Sequence, residues 1–492
     1  MKILFASSEV SPFAKTGGLG DVVGALPKAL RRLGHDVTVF CPFYAEARRY
    51  CESRGLELED RGGTAITWGN WTEAYRVLAT TLPGSDVPIL FIENDRLFGR
   101  SGLYWGREDG VDDNLERFTF FCRAIISAAE RLDLKFDIVH AHDWQAALLP
   151  IYLHSGLRWT HHFYGAKSVY TIHNLNYQGR YGADRFAALG LAARYWRPDA
   201  LEYYGDIVLM KGGILFSDRV TTVSPTYARE IQTPAFGAGF DGLLRARGAA
   251  LHGILNGIDD SEWDPSIDPL IPATFTARDL RGKAACKRAL RKESGLAPTA
   301  RTPLLIAISR LAEQKGFDLF IPLVPYLVEA GWQIAVLGTG EWELEAALHE
   351  AAKKHPRAVA VWTRFDSALA HRMIAAGDAI VIPSRYEPCG LNQMYGLRYG
   401  TIPIVRATGG LVDTVEGWNG TNTRTATGFA FHQPDSNALA QALLLARMAF
   451  RDRPLWAALQ RNGMARDFSW NASAAEYDRM YGELLEEARA GR

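Results

Sequence analysis

Residues 2–40 read KILFASSEVSPFAKTGGLGDVVGALPKALRRLGHDVTVF, where two short apolar runs enclose a glycine turn and a longer segment. The runs at residues 2–6 and 36–40 predict buried strands. Apolar residues between 22 and 33 recur at helical spacing and predict a helix, in which Pro27 should cause a kink or a restart. A strand, a helix and a strand in this order predict a parallel β-α-β unit.

The same alternation continues through both halves of the chain. Further strands are predicted at residues 138–140, 168–173, 220–224, 251–255, 304–309, 333–337, 359–363, 379–383 and 402–405. The predicted fold class is therefore α/β, with parallel sheets wrapped by helices in both halves. The domains are predicted at residues 1–258 and 259–470, followed by a helical tail at residues 471–492.

Composition excludes several classes of partner. The 492 residues include 55 basic and 55 acidic side chains, so no overall charge favours nucleic acid or a membrane surface. The five cysteines are odd in number and lack metal-binding spacing, which predicts reduced thiols, a cytoplasmic location and no metal site. No stretch approaches the roughly 18 to 20 apolar residues of a membrane span.

Two Gly-Gly-Leu turns recur, one in each half of the chain. The first lies in KTGGL at residues 15–19, which includes Lys15, Gly17 and Gly18. The second lies in TGGL at residues 408–411, which includes Thr408, Gly409 and Gly410. Bare backbone N–H groups at a turn before a helix favour an anion, so the two turns predict a phosphorylated ligand.

Arg310 and Lys315 lie after a predicted strand, five residues apart. If a turn separates strand from helix, both side chains can bind one diphosphate and offset the charge that develops when it departs. The alternative is a pair of solvated charges at a helix start, where cations are disfavoured.

Glu387 lies in EPCG at residues 387–390, between a strand and a helix. Pro388 and Gly390 predict a tight turn that directs the carboxylate and the following N–H groups, including that of Leu391, toward sugar hydroxyls. The alternative is that Glu387 only caps its own helix.

The stretch HAHDW at residues 140–144 follows another predicted strand, and His173 ends the next one. The histidines first suggest metal ligands, but strand geometry alternates their faces and no further ligand set fits. Asp143, a carboxylate at a strand end, is the better functional candidate. His173 is a candidate for a substrate hydroxyl, although a lone histidine is more often structural.

Taken together, these motifs resemble the family of bacterial glycogen synthases and plant starch synthases. The matching stretches are KTGGLGDV at 15–22, HAHDW at 140–144, TIHN at 171–174, LNGID at 255–259, SRLAEQKG at 309–316, EPCGL at 387–391 and TGGLVDTV at 408–415. The resemblance implies two Rossmann-like doubly wound domains in a GT-B glycosyltransferase architecture, with the active site in a cleft between the domains and a C-terminal helix packed on the first domain. It also implies an ADP-glucose donor, an α-1,4-glucan or glycogen acceptor, and neither a metal nor pyridoxal phosphate.

The resemblance further implies residue roles. Lys15 and the Gly17-Gly18 backbone would lie at the distal phosphate, and Arg310 and Lys315 at the diphosphate. The remaining assignments are Glu387, Gly390 and Leu391 at the glucose 3- and 4-hydroxyls, His173 at the 6-hydroxyl, Asp143 and Asn256 near the transferred sugar, Cys389 as a packing residue of the pocket, and Thr408, Gly409 and Gly410 at the donor.

An α-linked donor that gives an α-linked product requires retention, but no second carboxylate obviously serves as a nucleophile. We therefore expect the departing phosphate oxygen to take the proton of the acceptor 4-hydroxyl on the same face. Three alternatives stay open: a UDP-glucose-using synthase, a phosphorylase with pyridoxal phosphate, and a non-catalytic glucan-binding protein. The sequence leaves the oligomeric state open.

Overall fold

A computed structural model describes residues 1–104, 110–299 and 301–490 and divides the chain into two compact units. The N-terminal unit contains residues 1–223 and 228–257 and the chain from Trp470 onward. The C-terminal unit contains Ser224–Tyr227 and Ile258–Ser469. The last two residues of the predicted tail, 491 and 492, lie outside the described residues.

The boundaries predicted from sequence place Ser224–Tyr227 in the N-terminal domain, whereas the structure assigns this segment to the C-terminal unit. Hydrogen bonds explain the difference. The Ser224 hydroxyl donates to the Pro388 carbonyl at 2.8 Å. The Thr226 N–H and hydroxyl both donate to the Asp413 carboxylate, at 2.8 and 2.6 Å.

The N-terminal unit is built on a nine-stranded sheet in the order β12-β11-β7-β6-β1-β2-β5-β4-β3, with a small sheet in the order β8-β10-β9. Strands β3 and β4 are antiparallel to their neighbours and the other seven strands of the large sheet are parallel. The strands are β1 Lys2–Ala6, β2 Asp36–Pro42, β3 Glu59–Trp68, β4 Trp71–Thr81, β5 Pro88–Glu93, β6 Ile138–His142, β7 Lys167–Ile172, β8 Arg180–Gly182, β9 Glu202–Tyr203, β10 Asp206–Val208, β11 Arg219–Thr222 and β12 Leu251–Gly253.

Helices connect these strands. They are α1 Gly18–Arg32, α2 Ala45–Arg54, α3 Asp95–Phe98, α4 Asn114–Arg131, α5 Asp143–Ala146, α6 Leu148–His154, α7 Leu209–Phe216, α8 Pro225–Glu230 and α9 Asp241–Ala246. The predicted restart at Pro27 is wrong, because α1 continues through it. Pro27 removes only one backbone hydrogen bond, and the buried residues on both sides of it hold the helix against the sheet.

The C-terminal unit has a six-stranded, fully parallel sheet in the order β15-β14-β13-β16-β17-β18. Its strands are β13 Leu304–Ile308, β14 Gln333–Leu337, β15 Val359–Trp362, β16 Ala379–Ile382, β17 Ile402–Arg406 and β18 Phe429–Phe431. Its helices are α10 Arg281–Ser294, α11 Phe317–Phe320, α12 Val324–Glu329, α13 Trp342–Lys354, α14 Ser367–Ala376, α15 Asn392–Arg398, α16 Gly410–Thr414, α17 Ser436–Ala449 and α18 Arg453–Met464.

The last helix, α19 Trp470–Ala490, belongs to the N-terminal unit. The Tyr481 hydroxyl bonds to His140 Nδ1 at 2.7 Å, and the Ser473 hydroxyl donates to the Leu255 carbonyl at 2.6 Å. Among the described helices, none combines the length and the apolar character that a membrane crossing requires.

Strand order changes direction once in each large sheet. In the N-terminal unit the chain runs outward from β1 to β2 and then returns to place β6 on the other side of β1. In the C-terminal unit it runs from β13 through β14 to β15 and then places β16 beside β13. The carboxyl ends of such strand pairs form the crevice where doubly wound sheets bind ligands.

Candidate active site

Lys315 and Glu387 meet at the switch point of the C-terminal sheet, since one follows β13 and the other follows β16. Lys315 Nζ lies 2.9 and 2.7 Å from the two carboxylate oxygens of Glu387. The Ser384 hydroxyl donates to the same carboxylate at 2.8 Å. Glu387 is only 7 % exposed, so its charge is stabilised by this ammonium and this hydroxyl rather than by bulk water.

Gly316 makes the close approach of Lys315 to Glu387 possible. Gly316, which follows Lys315, has a φ of +71°, and a Cβ there would lie 2.1 Å from the Pro383 carbonyl oxygen. Only a residue without a side chain allows the Lys315 turn to lie against the end of β16. The local fold therefore directs the ammonium toward Glu387.

The second Gly-Gly turn packs directly on the backbone that carries Glu387. A Cβ on Gly409 would lie 1.9 Å from the Glu387 carbonyl oxygen, and one on Gly410 would lie 2.2 Å from that of Cys389. The Gly410 N–H donates to the carbonyls of Glu387 and Pro388 at 3.1 and 3.2 Å. The expectation of a bare N–H at Gly410 is therefore wrong, because that group joins the two loops.

The loop after Glu387 forms a small pocket of about 70 Å³ with Lys315. Gly390 has a φ of +74° and, with Leu391, lines this pocket ahead of α15, while Cys389 is buried. Leu391 occupies the N-cap position of α15 and no side chain caps that helix. The alternative role of Glu387 as the helix cap is therefore wrong, and its carboxylate instead faces the pocket.

Arg310 is exposed and does not share the partner of Lys315. Its guanidinium donates to Gln314 Oε1 at 3.3 Å. Gln314 in turn donates to the Tyr386 carbonyl at 3.4 Å. The side chain is thus held loosely beside the Glu387 loop, and a planar cation with unused donors there remains available to an anion.

In the N-terminal unit, the first Gly-Gly loop is organised by Glu9, which is only 3 % exposed. The carboxylate accepts the Thr16 N–H and hydroxyl, both at 2.6 Å, the Gly17 N–H at 3.2 Å and the Tyr104 hydroxyl at 2.6 Å. The expectation of a bare N–H at Gly17 is therefore wrong, since Glu9 takes it.

The remaining groups of this loop face outward. Lys15 forms an ion pair with Asp21 at 2.5 Å and stays partly exposed. A Cβ on Gly17 or Gly18 would meet nothing within 4 Å, and neither residue has a positive φ. The fold itself therefore does not require glycine at these two positions, and the open space beside Gly18 can admit a ligand.

Asp143 and His173 lie together after β6 and β7. The His173 N–H donates to Asp143 Oδ1 at 2.7 Å, and its ring Nε2 lies 3.0 Å from His142 Nδ1. Asp143 has a φ of +53°, a strained conformation for a residue with a side chain. Burial raises the pKa of Asp143 to about 7 and lowers the pKa of His173 to about 3.

The buried polar atoms near these strand ends that have no hydrogen-bond partner in the described part of the chain include His142 Nε2 and Asn256 Oδ1. A buried group without a partner costs free energy unless something else satisfies it. His140, in contrast, is bonded through both ring nitrogens, to Tyr481 and Thr171, and is structural. The described residues contain no group of three side chains arranged as metal ligands.

Sequence reasoning placed Glu9 among the polar residues that follow a predicted strand, but it assigned no role to the residues that support the site. These are Glu9 and Tyr104 in the N-terminal unit and Ser384, Gln314 and Gln393 in the C-terminal unit. Glu9 gave a usable signal, because it is a carboxylate three residues after the end of the first buried strand. The others gave none, since their partners are distant in sequence or are backbone groups.

Two doubly wound units, each with polar residues at the switch point of its large sheet, have the architecture expected of a glycosyltransferase of the GT-B class. The starch synthase catalytic domain family matches residues 2–246, and group 1 of the glycosyl transferases matches residues 290–449. The chain is 46 % identical to a glycogen synthase of Anaeromyxobacter sp., over 98 % of this chain and 99 % of that one. A glycogen synthase of Leptothrix cholodnii is also 46 % identical, over 98 % and 100 % of the two chains.

Two solved structures are similar to this chain over nearly its whole length. The catalytic domain of starch synthase IV from Arabidopsis thaliana, bound to ADP and acarbose, aligns with a TM-score of 0.88 and 34 % identity over 99 % of both chains. Sucrose-phosphate synthase from Thermosynechococcus elongatus, at 16 % identity, 99 % coverage of both chains and a TM-score of 0.61, shares the fold alone. The chain belongs to the glycogen and starch synthase family, and the resemblance expected from its motifs is confirmed.

Proposed function

We propose that this protein transfers glucose from ADP-glucose to the non-reducing end of an α-1,4-glucan such as glycogen, with retention, and releases ADP. The Lys315–Glu387 pair at the switch point of the C-terminal sheet is the observation that carries the proposal. Support for the adenine nucleotide comes from the Arabidopsis relative, whose structure holds ADP and acarbose.

In the C-terminal unit we assign the donor to the loops after β13, β16 and β17. Lys315 has three N–H donors, of which the Glu387 oxygens take two, so a phosphate oxygen can take the third. Arg310 adds a planar fork for the diphosphate. The Glu387 carboxylate oxygens have further lone pairs that can accept hydrogen bonds from glucose hydroxyls. The N–H groups of Gly390 and Leu391 can donate to the same hydroxyls.

In the N-terminal unit we assign Lys15 and Gly18 to the donor phosphate, because the glycine positions leave open space beside a helix start. We assign His173, Asp143 and Asn256 to the transferred sugar. The unpartnered oxygen of Asn256 suits a hydroxyl donor. Burial keeps the His173 ring uncharged near pH 7, so it acts through hydrogen bonds rather than as a cation.

The chemistry follows from cations gathered at the leaving group. As the C1–O bond to the diphosphate breaks, Lys315 and Arg310 offset the growing negative charge on ADP. The acceptor 4-hydroxyl forms the new C1–O bond on the same face, and its proton passes to the departing phosphate oxygen. Both α linkages are then accounted for without a carboxylate nucleophile.

The test is incorporation of radiolabelled glucose into glycogen from ADP-glucose and, in parallel, from UDP-glucose. We expect ADP-glucose to be used and the new chains to be fully digested by β-amylase, which requires α-1,4 linkages. Incorporation from UDP-glucose alone would overturn the choice of donor. Binding to glycogen with no nucleotide released would instead identify a glucan-binding protein.

A further inference from the structure

A second, larger cavity of about 900 Å³ lies in the C-terminal unit and shares no lining residue with the pocket at Glu387. It is bounded by α10, the segment after it, and the starts of β16 and α18. The amino ends of parallel strands lie at one end of the sheet and the carboxyl ends at the other. Asp378 in this lining directly precedes β16, whereas Glu387 follows that strand. The cavity therefore lies at the opposite end of the sheet from the candidate active site.

The lining is strongly basic although the whole chain is neutral. It includes one carboxylate, Asp378, and seven cationic side chains, which are Lys283, Lys287, Arg288, Arg291, Lys292, Arg357 and Arg453. Like charges gathered in one concave surface repel each other and create a positive potential that attracts anions.

Three of these cations are committed to the fold. Lys287 pairs with Asp378. Arg291 donates to Gln333 Oε1 at 2.7 Å and to the Thr302 carbonyl at 2.7 Å. Lys283 donates to the Thr401 hydroxyl at 2.6 Å, and burial lowers its pKa to about 7. They form the floor of the cavity, where Asp378 offsets the charge of Lys287 and burial leaves Lys283 only partly charged near pH 7.

The other four cations are exposed and have no carboxylate within ion-pair distance among the described residues, namely Arg288, Lys292, Arg357 and Arg453. Arg453 is held over the Phe450 ring at 4.2 Å, and Lys287 approaches the same ring at 5.5 Å. The aromatic ring orients Arg453 at the rim and leaves its donors unused. These donors surround a volume in the range of small-molecule sites.

From this we propose a second binding site, distinct from the active site, for a small anion with two or more phosphate groups. Several separated guanidinium and ammonium groups around one cavity fit several phosphates better than a single one. A sugar bisphosphate and a nucleoside triphosphate share this chemistry, and separate titrations distinguish them.

The experiment is calorimetric titration of the full chain with fructose 1,6-bisphosphate, ATP and inorganic tripolyphosphate at about 0.15 M salt, where surface charges are screened. We expect saturable binding of at least one probe. The double variant Arg288→Ala/Arg453→Ala should weaken it at least about tenfold, that is, by about 1.4 kcal/mol. Lys315→Ala should leave binding of fructose 1,6-bisphosphate unchanged, which separates this site from the active site.

Lys353→Ala is the matched control, because Lys353 is an exposed cation of the same unit outside the cavity. A second double variant, Lys292→Ala/Arg357→Ala, guards against misfolding of the first and should show the same loss. Absence of saturable binding of all three probes would overturn the proposal. So would unchanged affinity in both double variants, or an equal loss in Lys353→Ala.

Discussion

One ammonium group faces a buried carboxylate at the candidate active site. Sequence spacing identified Lys315 and Glu387 as separate candidates, but it assigned Lys315 with Arg310 to the diphosphate and gave no sign of a Lys315–Glu387 pair. The two residues are 72 positions apart, so their contact depends on β16 lying beside β13. Residue type was therefore predictable from the motifs, whereas the pairing required the strand order.

Lys315→Ala should lower kcat by ~10²-fold, the scale of losing one preorganised electrostatic donor. The physical reason is that no other cation contacts the Glu387 carboxylate in the described structure, so Glu387 loses its cation and the proposed leaving group keeps Arg310 alone. Steady-state kinetics with ADP-glucose and glycogen measure the effect. Lys353→Ala should keep wild-type kcat, and wild-type turnover in Lys315→Ala would refute the assignment.

Alanine in the two Gly-Gly turns should affect different properties, stability at Gly409 and donor binding at Gly18. Gly409→Ala forces a Cβ to 1.9 Å from a carbonyl oxygen at a φ of +48°, and should destabilise the protein by about 2 to 3 kcal/mol. Gly18→Ala has open space and should change stability by less than about 0.5 kcal/mol, while it raises KM for ADP-glucose. Thermal unfolding and donor titration test both. Equal destabilisation by the two substitutions would contradict this reading.

Asp143 should give stability a recognisable pH dependence. Burial raises its pKa from 3.8 to about 7, so the folded state holds a proton that the unfolded chain releases. The stabilisation of the folded state by the protonated Asp143 carboxyl is complete below about pH 4 and is lost as pH rises through about 7. Asp143→Asn removes this loss, and we expect the variant to be more stable than wild type at pH 8 by ~1 kcal/mol or more, with the gain shrinking toward pH 4.

Urea unfolding of both proteins between pH 4 and pH 8 measures the difference. His142 and His173, whose pKa values burial lowers, work in the opposite direction, but they are present in both proteins and cancel. A stability difference independent of pH would show that the Asp143 carboxyl titrates normally in the fold.

At the scale of elements, most of the parallel strands were predictable and none of the strands with only antiparallel partners was. Each strand predicted from a short apolar run exists, with ends shifted by up to two residues. The missed strands are β3, β4, β8, β9 and β10, which have only antiparallel partners, β18, which is parallel to β17, and β5, which is parallel to β2 and antiparallel to β4. Most of β3 is exposed and polar, so it has no apolar run, and its pairing with β4 supplies the order that its sequence does not.

The packing of α19 within the N-terminal unit should depend in part on the buried Tyr481 side chain. Tyr481→Phe removes the bond to His140 and should cost ~1 kcal/mol, and Tyr481→Ala should cost ~3 to 5 kcal/mol because it also leaves a cavity. The shift of the urea transition measures both. Tyr204→Phe, at a side chain 83 % exposed, is the control and should have no effect. No shift in Tyr481→Ala would mean that the contacts of this side chain add nothing to stability.

At the scale of the whole molecule, charge is balanced overall but uneven locally. The pI is about 7.2, so charge repulsion between copies is weakest near neutral pH. We expect solubility to be lowest near pH 7 and to rise by one pH unit on either side. Precipitation by polyethylene glycol at a series of pH values measures this. The double substitution Lys353→Glu/Lys354→Glu should move the minimum to lower pH, and an unmoved minimum would exclude net charge as the cause.

Because Ser224–Tyr227 belongs to the C-terminal unit, the two units cannot be separated by one cut in the coding sequence. A cut after codon 257 leaves these four residues on the wrong polypeptide. The Asp413 carboxylate then loses the hydroxyl and amide donors of Thr226, and the Pro388 carbonyl loses the Ser224 hydroxyl. A C-terminal half expressed from codon 258 would therefore have loosened loops at Pro388 and Asp413, even if its hydrophobic core folds.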